Sequence, residues 1–213
     1  MPFTGTKAVQ WLKHPVVWVL GGLALLLGTI LYAPVILPYH VSGAMLCYIY
    51  FIACIVWSIG IGCGKEWKPF WGVAFCEVGL LYALETLCTG AWWGYHAWGA
   101  AWVWEPRLTG MFLMTLFFLS WRLACAILGE NLVANRQLTA SLIILGLPAM
   151  FFTHVAVRLF GGIHPTGIPQ VSDQISVGWV TGVIAGEILT GLGVIRLRAK
   201  KMQSGRRMET QSP

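Results

Sequence analysis

The stretch GAWWGYHAWGAAWVWEPR, residues 90–107, contains five of the chain's 12 tryptophans: Trp92, Trp93, Trp98, Trp102 and Trp104. Each ring needs a large apolar surface and a partner for its N–H, so five in one short stretch require a common purpose. Glycine and alanine fill most of the intervening positions and leave room for flat rings to lie side by side. A belt of anchors at the membrane–water boundary is the alternative, but such belts scatter their aromatic residues. The pattern favours an aromatic shelf for a planar ligand.

The rest of the chain has the composition of a membrane protein. Of its 213 residues, 57% are hydrophobic and 10% are charged, and the mean hydropathy is +0.72. A soluble domain carries about 25% charged residues, so this surface cannot face water on all sides. The six cysteines form no C-x-x-C pair. Most lie in apolar runs, where a thiol behaves as a small hydrophobe, so the sequence predicts neither a disulfide nor a zinc site.

Six apolar runs are long enough to cross a bilayer as helices, which takes about 20 residues each. They are residues 16–37, 41–62, 70–89, 108–128, 137–157 and 177–195. The first run is too long for a signal peptide, so we expect it to be retained. We predict an all-α integral membrane protein, a six-transmembrane-helix bundle formed by residues 1–195. Residues 90–107 are its tryptophan-rich outer loop, and residues 196–213 are a basic cytoplasmic tail.

The positive charges predict the orientation of this bundle. If both termini are cytoplasmic, eleven of the 14 lysines and arginines lie on that side, Arg122 lies within the fourth run, and Arg107 and Arg158 lie outside. This bias follows the positive-inside rule and accounts for the net charge of +6 without nucleic acid as a partner. The segment with His40, the tryptophan loop and the segment with His164 then emerge on one outer face.

Three motifs follow one another along the chain. They are residues 38–41 (PYHV), residues 98–109 (WGAAWVWEPRLT), and residues 153–155 (THV) followed by His164. Together they resemble the Tyr-x-His-Val, W-G-x-x-W-x-W-D-x-R-L-T and closing segments of the CcmC family. This family, also called haem exporter protein C, belongs to the tryptophan-rich (WWD) haem-handling membrane proteins. The similarity runs through nearly the whole chain. It departs from the family at Glu105, where Asp is usual, and at His96, an extra imidazole in the loop.

The resemblance implies a site for haem b, bound transiently. His40 and His164 would be the axial ligands of the haem iron, and the five tryptophans of residues 90–107 would be the platform for its ring. Arg107 and Glu105 would supply the polar contacts of the motif, because arginine pairs with carboxylates such as the haem propionates. A pair between Arg107 and Glu105, or a lipid headgroup, is the alternative for the arginine. His96 and His154 are alternative iron ligands.

The resemblance also implies a function and a set of partners. The chain would present haem at the periplasmic face of a bacterial inner membrane and deliver it to a CcmE-like haem chaperone for c-type cytochrome maturation. It would do so in an ABC-type complex with a CcmA-like ATPase, a CcmB-like membrane subunit and a small CcmD-like membrane subunit. The sequence around Gly64-Lys65 lacks a phosphate-binding loop, so we expect no ATPase site and no enzyme activity in this chain.

Three other functions fit parts of the sequence. A b-type cytochrome electron-transfer subunit would bury its histidine ligands inside helices, whereas here they fall in loops and at helix ends. A haem–apocytochrome ligase component would resemble longer tryptophan-rich proteins with more spans. A small-solute transporter would often show an inverted repeat, and none is visible. Acids at Glu77, Glu85 and Glu187 fall within apolar runs, where a charge is expected to be paired or functional, without a specific role for any of them.

Overall fold

The structure is a computed structural model that describes residues 14–32, 36–64, 70–128, 146–153, 155, 158–164 and 177–209. Within these ranges every regular element is a helix, as the sequence predicts. The helices are α1 (Pro15–Tyr32), α2 (Leu37–Gly62), α3 (Phe70–Trp98), α4 (Pro106–Leu128), α5 (residues 146–153) and α6 (Val177–Glu209). Most of the predicted fifth span, and His154, lie outside the described residues.

Two helices extend well beyond their predicted C-terminal ends, and both differences have a local cause. Helix α3 does not stop at Thr89 but continues to Trp98, so half of the predicted outer loop is helical. Residues 90–98 contain no proline, and the helix ends only where Gly99 adopts φ +73° and its N–H bonds the Tyr95 carbonyl at 3.0 Å. Helix α6 continues through the predicted tail to Glu209, because leucine, arginine, lysine and glutamine there favour helix.

Helix α2 begins earlier than predicted, at Leu37, and therefore includes His40 in its first turn. Pro38 does not prevent this, because the N–H groups of the first turn have no partner within the helix. His40 is thus held by a helix rather than by a loop.

Three of the described helices contain segments long and apolar enough to cross a membrane. These segments are Leu37–Gly60, Trp71–Trp98 and Val180–Lys200, and α1 is apolar over the shorter range Pro15–Leu31. Helix α2 presents a stripe of exposed apolar side chains: Met45, Ile49, Ile52, Val56 and Ile59. Their spacing of three and four residues is that of one helical face, and its exposure suits contact with lipid.

Helices α1 and α6 form one compact unit. Gly22 of α1 packs directly on Thr190 and Gly186 of α6, and a Cβ on Gly186 would lie 2.8 Å from Leu26. Small residues allow this close approach of two helices. The Arg196 guanidinium lies over the Trp18 ring, 3.8 Å from its centroid, which adds a cation–π contact within the unit.

Residues 36–174 form the second unit, with a core of aromatic side chains from α2, α3 and α4. Phe51, Tyr82 and Phe118 are among the largest fully buried side chains. Phe51 meets Phe118 edge to face, with ring centroids 5.6 Å apart. Gly79 leaves space for the Phe118 ring, since a Cβ there would lie 2.5 Å from it. The second unit carries all of the predicted site residues.

An ion pair joins α3 to α4 within this unit. The Arg122 Nε donates to Glu77 Oε1 at 2.8 Å. Glu77 is therefore paired, as expected for an acid within an apolar run. The pair also accounts for the placement of Arg122 in the fourth run.

Adjacent glycines of α1 provide a test of the α1–α6 contact. A Cβ at Gly22 would overlap Thr190 Oγ1 and lie 2.6 Å from the Gly186 carbonyl oxygen, whereas a Cβ at Gly21 meets nothing within 4 Å. We expect Gly22→Ala to destabilise the protein by about 1–3 kcal/mol through overpacking. Gly21→Ala is the matched control and should be neutral or stabilising by up to about 1 kcal/mol. Unfolding in detergent measures both, and equal effects would contradict the packing described.

Candidate functional site

Glu105 starts helix α4 and occupies the centre of the candidate site. Its Oε1 accepts the Leu108 N–H at 2.8 Å, and its carbonyl accepts the Thr109 N–H at 2.9 Å. Glu105 is therefore the N-cap, and Pro106 takes the first helical position, where a missing N–H costs nothing. The Glu-Pro pair that departs from the family motif is thus the start signal of α4.

The same carboxylate oxygen approaches His164. The Glu105 Oε1 lies 3.0 Å from His164 Nδ1, and both residues are buried, with 5% and 8% of their surfaces exposed. The contact is short but poorly aligned, so His164 Nδ1 has no well-directed hydrogen bond. The other carboxylate oxygen, Oε2, also lacks a hydrogen-bond partner in the described residues. A carboxylate only accepts hydrogen bonds, so this contact favours the neutral tautomer that carries its hydrogen on Nδ1 and its lone pair on Nε2.

The environment of His164 favours the neutral ring. Burial lowers the pKa of His164 below its ordinary value of 6.5; the Glu105 carboxylate opposes this shift, and the Arg107 guanidinium adds to it. The imidazole is therefore mostly neutral at pH 7. A neutral ring is the form that ligates a metal ion.

His40 is oriented by helix α3. Its Nδ1 donates to the Thr86 carbonyl at 3.0 Å. A backbone carbonyl only accepts, so this ring too keeps its lone pair on Nε2. Gly90 leaves space for the His40 ring, because a Cβ there would lie 2.8 Å from His40 Cε1 and 3.0 Å from Nδ1. The ring is confined between a carbonyl and a glycine of one helix.

The two imidazoles lie beside one another. Their ring centroids are 6.3 Å apart, and their planes are inclined by 37°. Two imidazoles that bind one metal ion from opposite sides have centroids roughly 6 Å apart, given metal–nitrogen bonds of about 2 Å. The positive charge of Arg107 acts on both rings. The spacing of His40 and His164 is therefore compatible with two ligands of one metal ion.

The five tryptophans do not form one flat shelf. Trp93 and Trp98 lie next to His164: the two indoles meet edge to face at 4.8 Å, and the Trp98 centroid is 5.0 Å from that of His164. Trp102 and Trp104 form a second group, edge to face at 5.3 Å. Aromatic rings prefer this inclined arrangement because the edge of one ring is positive and the face of the other negative.

Trp92 is separate from both groups. Successive helical residues point in different directions, so Trp92 and Trp93 cannot share one face of α3. Trp92 is 62% exposed and pairs with His96, ring centroids 5.0 Å apart. The His96 Nδ1 lies 2.9 Å from the Trp92 carbonyl oxygen. His96 is thus placed at the exposed end of α3, with Trp92 and Tyr95 as its aromatic neighbours.

Other side chains that could ligate a metal ion do not cluster in the described part of the chain. In the ranges that the structure covers, no group of three or more His, Cys, Asp or Glu side chains could hold a metal ion. A haem iron needs only axial ligands from a protein, because the porphyrin supplies four nitrogens. Arg158, which the sequence analysis places on the outer side of the membrane, has an exposed side chain.

Three features of the site escaped the sequence analysis. The Thr86 carbonyl and the space at Gly90 are invisible to motif reasoning, because they depend on how α3 packs on α2. Glu105 both caps α4 and contacts His164. The capping role can be predicted from the sequence, since an acid followed by proline is a helix start signal. The contact with His164 cannot.

Comparison with known proteins agrees with the motifs. The family model CcmC, heme exporter protein C, matches residues 31–211. Heme exporter protein C of Rhodobacter capsulatus is 33% identical over 142 residues, 64% of this chain and 58% of the relative. That of Paracoccus denitrificans is 35% identical over 92 residues, 43% of this chain and 38% of the relative. The cytochrome c biogenesis protein CcsA of Cuscuta reflexa is 29% identical over 108 residues, 49% of this chain and 33% of the relative.

The matched segments therefore cover little more than half of these relatives at most. The family match itself extends over most of this chain and includes the capped start of α4 and both paired histidines. The chain belongs to the CcmC, or heme exporter protein C, family.

Proposed function

We propose that this chain binds haem b through His40 and His164 and passes it on for c-type cytochrome maturation. The observation that carries the proposal is the pair of imidazoles, 6.3 Å apart at their centroids, with each Nδ1 next to an acceptor. Fixed tautomers and orientations are the usual preparation of histidines that ligate a metal ion. Family membership supports haem as the cargo.

Each side chain of the site has a distinct task in this proposal. The two Nε2 lone pairs ligate the iron from opposite sides. Trp93 and Trp98 pack beside His164 and keep water from the ligand. The Arg107 guanidinium, which acts on both imidazoles, pairs with a haem propionate. Trp102 and Trp104 extend the apolar surface around the start of α4.

The proposal includes a position in the membrane. Six spans with cytoplasmic termini place His40, Trp98 and His164 at the periplasmic face of a bacterial inner membrane. The charge bias of the sequence supports this orientation. The cargo then passes to a CcmE-like haem chaperone. The energy for releasing the loaded chaperone comes from a CcmA-like ATPase, which acts with CcmB-like and CcmD-like membrane subunits, because this chain has no phosphate-binding loop of its own.

A b-type cytochrome subunit is the second candidate, since His40 lies within helix α2. Electron transfer requires that the haem stays bound while its iron changes oxidation state. Delivery requires that the haem leaves. Transfer of haem to an apo-haemoprotein, followed by absorption spectroscopy, separates the two functions.

The ligand assignment predicts distinct spectra for three histidine variants. His40→Ala and His164→Ala should each abolish the low-spin, two-imidazole spectrum of the purified haem-loaded protein. His96→Ala is the matched control and should keep it, because His96 lies at the exposed end of α3 beside Trp92. His154→Ala should also keep it. Loss of the spectrum in His96→Ala, with retention in His164→Ala, would assign the ligands differently.

The tryptophans next to His164 should act through their apolar area. Trp98→Ala should weaken haem binding by roughly tenfold to hundredfold, the value of an aromatic side chain removed from a contact, and Trp98→Phe by less. Trp92→Ala should have a smaller effect than Trp98→Ala, since Trp92 is 62% exposed. Haem titration of the three variants measures this order. Equal losses in Trp98→Phe and Trp98→Ala would assign the effect to the indole N–H instead.

The orientation predicts which cysteines an impermeant reagent reaches in intact cells. Ile163→Cys, at a side chain that is 45% exposed, should be labelled from outside. The native Cys63, exposed at the end of α2, should be labelled only after the membrane is opened. Each is tested as the single cysteine of the chain. Equal labelling of both in intact cells would exclude the proposed topology.

A further inference from the structure

The two imidazoles of the proposed haem site differ in the acceptor that holds them. His40 Nδ1 donates to a neutral group, the Thr86 carbonyl, at 3.0 Å. His164 Nδ1 lies 3.0 Å from a carboxylate oxygen of Glu105. The distances are the same, but the two pairs differ in charge and in alignment, because the bond of His40 is well directed and His164 Nδ1 lacks a well-directed partner. An imidazole held by a carboxylate is a stronger electron-pair donor to a metal ion than one held by a carbonyl.

The carboxylate is fixed in this position by the start of helix α4. Its Oε1 accepts the Leu108 N–H at 2.8 Å, and this bond keeps the oxygen at the helix N-terminus. The positive end of the helix dipole favours a negative charge there. Rotation of Glu105 away from His164 would break the cap. The identity of the N-cap therefore also sets the partner of the histidine.

Burial strengthens the effect of the Glu105 charge on His164. Glu105 is 95% buried, from an exposed fraction of 5%, and its Oε2 has no hydrogen-bond partner in the described part of the chain. Water cannot screen the interaction, and electrostatic effects are stronger in such a medium. The His164 Nδ1 is likewise buried without a well-directed partner, so a small rotation of the ring toward Oε1 strengthens the pair.

We propose that Glu105 is a positioning residue that makes His164 the stronger and His40 the weaker axial ligand, so that the iron–His40 bond opens first when haem leaves. This inference rests on the proposed function, which assigns both histidines to the iron. It adds an order to the transfer. His164 retains the haem while the side of the ring toward His40 becomes accessible to a recipient.

The exchange is balanced without an electron or proton donor. The bond between iron and His40 Nε2 breaks, and its electron pair stays on Nε2. A nitrogen or oxygen atom of the recipient donates its own electron pair to the vacated position. The iron keeps its oxidation state throughout. The Nδ1 hydrogen of His40 stays in its bond to Thr86.

The test combines Glu105→Gln with each single-ligand variant. Glutamine keeps the oxygen that caps α4 but removes the charge. In the His40→Ala protein, where His164 is the remaining ligand, Glu105→Gln should speed haem release to apomyoglobin about tenfold. In the His164→Ala protein, where His40 remains, Glu105→Gln should leave the release rate unchanged. His164→Ala alone should release haem faster than His40→Ala alone.

A second readout uses the protein with both histidines. Glu105→Gln should raise the reduction potential of the bound haem, because a weaker donor stabilises the oxidised iron less. A purely structural role in capping α4 would change unfolding and would speed release equally in both single-ligand proteins. That equal effect, or an unchanged potential, overturns the inference. If instead both single-ligand variants keep the two-imidazole spectrum, the proposed function itself fails.

Discussion

One carboxylate oxygen connects the start of a helix to a histidine of the candidate site. Glu105 Oε1 caps α4 through Leu108 and lies 3.0 Å from His164 Nδ1. A buried carboxylate is costly unless its charge is compensated, and here the N–H of Leu108 at the helix N-terminus provides that compensation beside the His164 ring. The backbone between Gly99 and Glu105 must therefore bring α3 and α4 to the same place as His164. The hydrogen bond that caps α4 thus also holds the Glu105 carboxylate beside His164.

Helix α3 supplies the second constraint, on the side of His40. Its carbonyl at Thr86 accepts from the His40 ring, and its glycine at position 90 leaves the ring the space it occupies. Glycine is needed there, because the Cβ of any other residue would lie 2.8 Å from His40 Cε1. Tryptophan, glycine and alanine in residues 90–98 thus have different purposes. Trp93 and Trp98 pack beside His164, and Gly90 leaves the space that the His40 ring occupies.

Sequence reasoning predicted the class of the fold and the convergence of distant segments. Apolar runs and the breaks between them are local signals, so the helical character and the approximate positions of the helices could be read directly. His40, Trp98 and His164 do meet in the structure. The end of α3 was mispredicted because the tryptophan pattern was interpreted as a loop, although its only stop signal is Gly99. The length of α6 was underestimated because the predicted span ended with the apolar run at residue 195, and the basic residues after it were assigned to a tail.

What the sequence could not provide is orientation within the site. Periodicity separates Trp92 from Trp93 on a helix, but only once that stretch is known to be helical. Edge-to-face packing depends on neighbours from other segments, as at Trp98 and His164. Hydrogen bonds to a backbone carbonyl, such as that of Thr86, leave no trace in residue type. These are contacts between elements, and they require the packed structure.

A site that receives haem and gives it up again faces two opposed demands. In the proposed site, buried neutral imidazoles bind iron well, and Glu105 and Arg107 place one charge of each sign near His164, so no net charge is added. Identical surroundings for the two ligands would give bonds of equal strength, and neither side would open in preference. Different acceptors on the two Nδ1 atoms remove that equality without changing either ligand. In the proposed site, one pair of histidines can then bind haem tightly and still release it from the His40 side first.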